Sequence, residues 1–219
     1  MTMDSREFAR HIDHTNVRPE ATEKDIEALC DEAIEYGFAT ACMASCWAGL
    51  ARKRLGDSGT RVCCVVGFPF GSQPHRAKAL EAAEAVRDGA AEIDAVINIG
   101  YLKSGLADGV RQDISGIVDA SGDAAVKVII EACYLTDEEK VLAANIARDA
   151  GAAFVKTSTG YGPKGAEVED VKLVKKNVPG ILVKASGGIR TYEDAMKFLT
   201  AGASRIGTSS GPRIMEHFG

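Results

Sequence analysis

Two kinds of apolar pattern alternate along the chain. Short runs such as Val62–Val66 and Ile181–Ala185 are almost wholly apolar or small, as strands buried on both faces are. Between them lie longer stretches with apolar residues three and four apart. After Thr22, residues Ile26, Leu29, Cys30, Ala33 and Ile34 fall at i, i+3, i+4, i+7 and i+8, one face of a helix. Thr22 with Asp25 forms a partial capping box at its start, and Gly37 supplies its stop. Read this way, a short helix from Asp4 to Arg10 precedes a weak strand from His11 to Thr15. Further strands are predicted at Thr40–Met43, Val62–Val66, Glu92–Asn98, Val126–Glu131, from Phe154, at Ile181–Ala185 and at Arg205–Thr208. Helices are predicted between them at Cys46–Leu55, Pro74–Asp88, around Val110, Ile114, Ile117 and Val118, from Thr136 to Gly151, at Glu167–Asn177 and from Thr191 to Gly202. Thr136 with Glu139 and Thr191 with Asp194 read as capping boxes, and a last helix ends the chain.

A helix that ends in glycine and runs through a short connection into a strand recurs at Gly89-Ala90, Gly151-Ala152 and Gly202-Ala203. Eight strands alternating with eight helices imply a parallel sheet. Closure into a (β/α)8 TIM barrel fits the count, with the short N-terminal helix outside it and residues 1–219 as a single domain. An open doubly wound sheet is the alternative.

Composition narrows the function classes. The 219 residues are 46% hydrophobic and 26% charged with a formal charge of -5, which argues against nucleic acid or an anionic membrane as main partner. No apolar run approaches the roughly 18–20 residues of a membrane span, and Met1–Arg10 has no signal-peptide core. None of the six cysteines forms a Cys-x-x-Cys pair; they read as small hydrophobes in a reducing, cytoplasmic setting. Cys63 and Cys64 are expected on opposite faces of one strand.

Strand parity brings in chemistry. Ile93, Ala95 and Ile97, like Val126, Val128 and Ile130, form apolar sets that should meet the helices. The opposite parity points Asp13, Cys42, Asp94, Lys127, Glu131, Lys156 and Lys184 into the barrel, where branched aliphatics are usual. Mutual pairing could be purely structural, and lysines at strand ends can snorkel to solvent. Two lysines on strands that both run into Gly/Ser/Thr turns, Lys156 and Lys184, read better as one amine site. A lysine in an apolar wall beside a second ammonium gives up its proton more readily, and the neutral amine can attack a carbonyl to form an iminium. Asp94 with Lys184 could then move protons through a water. The turns Ser186-Gly187-Gly188-Ile189-Arg190 and Gly207-Thr208-Ser209-Ser210-Gly211 follow the seventh and eighth strands, where barrels commonly bind phosphate. The four histidines lack helical ligand spacing, so no metal and no cofactor is expected.

These segments resemble the deoxyribose-phosphate aldolase family over nearly the whole chain. The resemblance rests on Asp13-His14-Thr15, Gly67-Phe68-Pro69, Glu92–Gly100, Lys127–Glu131, Phe154–Gly160 and Lys184–Arg190. It implies a class I aldolase on a (β/α)8 barrel that interconverts 2-deoxy-D-ribose 5-phosphate with D-glyceraldehyde 3-phosphate and acetaldehyde, a lyase of carbohydrate and deoxynucleotide breakdown. It further implies Lys156 as the Schiff-base lysine, Asp94 and Lys184 as the proton-relay pair, and Gly187, Gly188, Arg190, Gly207, Ser209 and Ser210 as phosphate contacts. Asp13, Lys127, Thr159 and Gly160 are expected to contact the substrate, and a homo-oligomer, dimer or tetramer, is expected. Two departures stand out. Met43-Ala44-Ser45-Cys46-Trp47 lacks a proline frequent in the family, and the sequence ends Glu216-His217-Phe218-Gly219 without the terminal tyrosine of some members. The rival readings are another Schiff-base aldolase or transaldolase on the same barrel, and a phosphosugar-binding protein without turnover.

Overall fold

The computed structural model describes residues 3–218. Eight parallel strands close into a barrel in chain order: β1 (Ile12–Asn16), β2 (Thr40–Ala44), β3 (Arg61–Val66), β4 (Glu92–Val96), β5 (Ala125–Ile129), β6 (Phe154–Lys156), β7 (Leu182–Ser186) and β8 (Arg205–Thr208). The ring shuts where β8 pairs with β1, with Gly207 beside Asp13. Helix α1 (Ser5–Ala9) precedes the barrel. The outer layer consists of α2 (Glu23–Tyr36), α3 (Ala48–Leu55), α4 (His75–Arg87), α5 (Ile99–Lys103), α6 (Ala107–Ser121), α7 (Asp137–Asp149), α8 (Val168–Asn177), α9 (Tyr192–Thr200) and α10 (Gly211–Met215). The predicted barrel is thus the observed one.

The main apolar core lies between sheet and helices. Ile93, Ala95 and Ile97 of one strand segment and Val126, Val128 and Ile130 of the next pack there against Ile114 and Ile117 of α6, as their parity requires. Cys64 joins this outer core, whereas Cys63 turns inward with Cys42 and Val65. Thr22 and Asp25 close the capping box of α2, and Thr136 and Glu139 that of α7. At α9 only half of the predicted box forms: Thr191 accepts from the Asp194 N–H.

Most boundaries differ by a residue or so from the sequence reading, and three larger differences have a local reason. Asn98 does not continue β4; its side chain accepts from the Tyr101 N–H and starts α5, a one-turn helix that the sequence reading lacked. Glu131 lies beyond β5 with φ 46°, the one non-glycine residue in the left-handed region among the described residues. Ser45–Trp47 forms a 3-10 turn before α3. Gly219 lies outside the described residues, so the reading of the chain end stops at Phe218.

Candidate active site

Lys156 is the last residue of β6, Ser186 of β7 and Thr208 of β8, so the segments after them meet at one rim. A cavity of about 590 Å³ opens there, lined by Lys156, Thr159, Gly160, Gly187, Gly188, Arg190, Gly207 and Ser209 among others. This rim is the C-terminal face of the strands, where barrel enzymes carry their chemistry.

Beneath the cavity the barrel is filled by ions rather than aliphatics. Asp94, fully buried, is the hub. Its Oδ2 accepts from Lys156 Nζ at 2.8 Å and Lys184 Nζ at 2.7 Å, and its Oδ1 from Lys127 Nζ at 2.7 Å. Below it, Asp13 Oδ2 lies 2.5 Å from Lys184 Nζ, and Asp13 Oδ1 accepts from Arg205 Nε at 2.9 Å. Glu92 Oε2 pairs with Lys127 at 2.5 Å and with Arg205 at 2.8 Å. At the bottom the exposed Arg61 reaches Glu92 Oε1 at 2.6 Å. Lys156 is therefore the top of a ladder of charges, and the member that meets the cavity.

Burial opposes charge on Asp94, but the ammonium groups of Lys127, Lys156 and Lys184 outweigh it and hold the carboxyl well below the usual range. Asp13 is likewise held low, against burial, by Lys184, Lys127 and Arg205. Burial also opposes charge on Lys184, and Asp13 with Asp94 overrides it and raises its proton affinity. A depressed carboxylate contributes stability that is present above its unfolded pKa of about 3.9 and is lost as pH falls towards the folded value. A raised lysine contributes below its unfolded pKa of about 10.4 and loses this as pH climbs through the folded one. Urea unfolding is therefore expected to give a stability plateau from about pH 5 to 9 and a steep fall below about pH 4. Equal stability at pH 7 and pH 3 would contradict this linkage.

The two turns are shaped for close approach. Gly187 and Gly188 have φ of 93° and 83°, and a Cβ on Gly187 would sit 2.9 Å from Gly165 Cα. Thr208 Oγ1 donates to the Ile189 carbonyl at 2.7 Å and ties the β8 turn to the β7 turn. Backbone N–H groups freed at such glycines suit an anion.

The structure brings together Lys156, Asp94 and Lys184, and it gathers Thr159, Gly160, Gly187, Gly188, Arg190, Gly207 and Ser209 around one cavity. It separates Asp13 and Lys127 from that cavity: both are fully buried inside the ladder and do not line it. Ser210 is also absent from the lining, its N–H donating to Thr208 Oγ1 at 2.9 Å. Lys156 does not face Lys184 across empty space, since one oxygen of Asp94 touches both amines.

Glu131 was expected as an inward-facing carboxylate without a stated role, and Tyr161 and His14 were not assigned to the site. Glu131 accepts from the N–H and, in a short bond, the hydroxyl of Thr159, and so fixes the loop after Lys156. Tyr161 lines the cavity and donates from its hydroxyl to the Val17 carbonyl at 3.1 Å, spanning from the β6 loop to the β1 loop. His14, whose Nε2 lies 2.6 Å from Glu32 Oε2, lines the β1 side; burial lowers its basicity against the pull of Glu32. The alternation of β1 points His14 outward, and no sequence signal marks the cavity as extending to α2.

Fold and site together define a class: the (β/α)8 barrel enzymes that work through a lysine amine, the class I aldolases. A family model described as DeoC/LacD family aldolase matches residues 3–217. The deoxyribose-phosphate aldolase of Methanocella arvoryzae is 61% identical over 215 residues, 97% of this chain and 96% of that protein. The one of Caldanaerobacter subterraneus subsp. tengcongensis is 53% identical over 215 residues, 96% of this chain and 93% of that protein. A solved structure described as a unique tetrameric structure of deoxyribose phosphate aldolase from Aeropyrum pernix superposes with a TM-score of 0.91 at 37% identity, covering 98% of this chain and 92% of that one. The chain belongs to the DeoC/LacD aldolase family.

Proposed function

We infer that the chain is a class I aldolase that reversibly cleaves 2-deoxy-D-ribose 5-phosphate to D-glyceraldehyde 3-phosphate and acetaldehyde, with Lys156 as the amine. The observation that carries this reading is the placing of Lys156 Nζ on Asp94, at the floor of a cavity whose far wall is the pair of glycine turns. The ladder holds three carboxylates (Asp13, Glu92, Asp94) against four buried bases (Lys127, Lys156, Lys184, Arg205). Lys156 is the base of this set that meets the cavity. The neutral amine adds to C1 of the open-chain sugar, and loss of water gives an iminium. Removal of the C3 hydroxyl proton then breaks the C2–C3 bond, whose electron pair flows into the iminium to form an enamine. Protonation at C2 and hydrolysis release acetaldehyde and return Lys156. Asp94 and Lys184 are the proton-relay pair in this reading, acting on the substrate through water.

Arg190 and the N–H groups around Gly187, Gly188 and Ser209 would hold the phosphate. Asp13 and Lys127 are assigned to hold Asp94 and Lys184 in place rather than to touch the sugar. Release of D-glyceraldehyde 3-phosphate and acetaldehyde from 2-deoxy-D-ribose 5-phosphate, followed by coupled dehydrogenases, tests the activity. Gly188→Glu puts a carboxylate where the phosphate would lie. It is expected to raise KM for the phosphorylated sugar by about 100-fold or more, the effect of a like charge costing several kcal/mol, and far less for unphosphorylated deoxyribose. An equal rise for both sugars would place the phosphate elsewhere.

A cytoplasmic site of action and a dimeric or tetrameric state complete the reading. In support, no helix among the described residues is long and apolar enough to cross a membrane, and the Aeropyrum pernix relative is described as tetrameric.

A further inference from the structure

Cys42 and Cys63 are opposed residues on the parallel strands β2 and β3. Neighbouring strands lie about 4.7–4.9 Å apart, inside the Cα separation of about 4.4–6.8 Å that a disulfide needs. Both side chains point into the barrel, fully buried, with Val65 beside them and Phe68 packed against the group. Their sulfurs and a carboxylate oxygen of Asp94 lie within 4.8 Å of one another. Cys63 Sγ donates to Asp94 Oδ1 at 3.2 Å and receives Lys127 Nζ at 3.3 Å, while Cys42 Sγ reaches Asp94 Oδ2 at 3.9 Å. The two thiols thus flank the carboxylate that holds Lys156.

The pair is chemically unequal. The neighbouring Cys63 thiol lowers the proton affinity of the Cys42 thiol, against burial and Asp94, and Lys184 and Lys156 add to the effect. Cys63 is pushed well up by burial and by its neighbours Cys42 and Asp94. The contrast with the buried cysteines of the outer core is plain: burial pushes the Cys30 thiol up to about 11 and the Cys64 thiol higher still. Cys42 has the setting of an attacking thiolate and Cys63 that of a resolving thiol.

We propose that Cys42 and Cys63 form a reversible oxidation site that closes a disulfide against Asp94 and lowers turnover; the effect on turnover rests on the aldolase reading. The oxidant is hydrogen peroxide. The Cys42 thiolate attacks one peroxide oxygen, the O–O bond breaks, and protonation of the leaving oxygen gives water and a sulfenic acid. Cys63 sulfur then attacks Cys42 sulfur, the S–S bond forms, and the expelled hydroxide takes the Cys63 proton as a second water. Two thiols are oxidised by two electrons and one peroxide is reduced. Hydrogen peroxide is little larger than water, and Lys156, bonded to the same Asp94 oxygen as Cys42, opens onto the cavity. Once joined, Cys63 no longer donates to Asp94. Turnover is expected to fall about tenfold, the loss of one hydrogen bond to a charged group.

The test treats the folded protein with hydrogen peroxide, alkylates the remaining thiols after denaturation, and assigns the sulfurs by peptide fragmentation. The expected result is a Cys42–Cys63 link formed with a mass loss of two hydrogens, turnover reduced about tenfold, and both reversed by dithiothreitol. Cys63→Ala, measured against its own reduced form, should form no link and should accumulate a sulfenic acid on Cys42. A link from Cys42 to Cys46, or Cys42 and Cys63 still fully alkylated when the exposed Cys46 is oxidised, would overturn the site. A Cys42–Cys63 link with unchanged turnover would overturn its effect on catalysis. The mapping is independent of turnover, so a wild type without aldolase activity would refute the aldolase reading and leave the disulfide assignment to stand or fall on its own.

Discussion

Lys156→Arg is expected to abolish aldolase turnover while leaving the fold intact. A guanidinium stays protonated and offers no lone pair to a carbonyl, so no iminium can form. Loss of a covalent nucleophile of this kind lowers kcat by about 10⁴-fold or more. The same guanidinium can still pair with Asp94, which at present meets Lys156 Nζ at 2.8 Å, so the charge ladder keeps its top member. The variant should therefore unfold at nearly the wild-type urea concentration. Loss of activity together with loss of stability would leave the role of the amine unproven; retained activity would remove Lys156 as nucleophile.

Asp94→Asn is the second large effect, and it should strike stability and catalysis at once. Three lysines bond to this one carboxylate, all within 2.8 Å. An amide of the same shape leaves those ammonium groups short of a counter-charge in a buried site, at a cost of about 3–5 kcal/mol. It also removes the base assigned to the relay, so kcat should fall by about 10²–10⁴-fold. A control separates the two effects. Lys78 and Asp113 form another buried ion pair, between α4 and α6, and Lys78 Nζ also bonds the Gly71 and Val96 carbonyls at 3.0 Å. Lys78→Met should destabilise by a similar mechanism and leave kcat largely intact. If Asp94→Asn behaves like Lys78→Met, with stability lost and kcat kept, Asp94 is a structural counter-ion and not a relay.

Alternation along the strands was enough to place Asp94, Lys127, Lys156 and Lys184 inside the barrel, because side chains on a strand change face at every residue. It could not give their height. The register sets Asp94 beside Lys127 and Lys156 beside Lys184, and only Lys156 of these meets the cavity. Asp13 and Lys127, which the resemblance assigned to the substrate, lie within the ladder and do not line the cavity. Arg205 and Glu92 complete the ladder across the barrel, from β8 to β4, a pairing that no local pattern encodes. Asn98 and Glu131 looked like strand residues by parity; side-chain capping at one and a left-handed backbone at the other end the strands first. The turns Gly187-Gly188 and Gly207 were legible because glycine at strand ends has a narrow set of uses. Ser210 follows in the same turn as Gly207, and its N–H donates to Thr208 Oγ1. Tyr161 reaches Val17 across 144 positions of sequence, a contact that exists only once the barrel has closed.

The most direct measurement is borohydride reduction of the wild-type protein in the presence of acetaldehyde, followed by peptide mapping. One added two-carbon group is expected, on Lys156, and none when Lys156 is arginine. Label on Lys127 or Lys184, or no label at all in an enzyme that turns over, would contradict it.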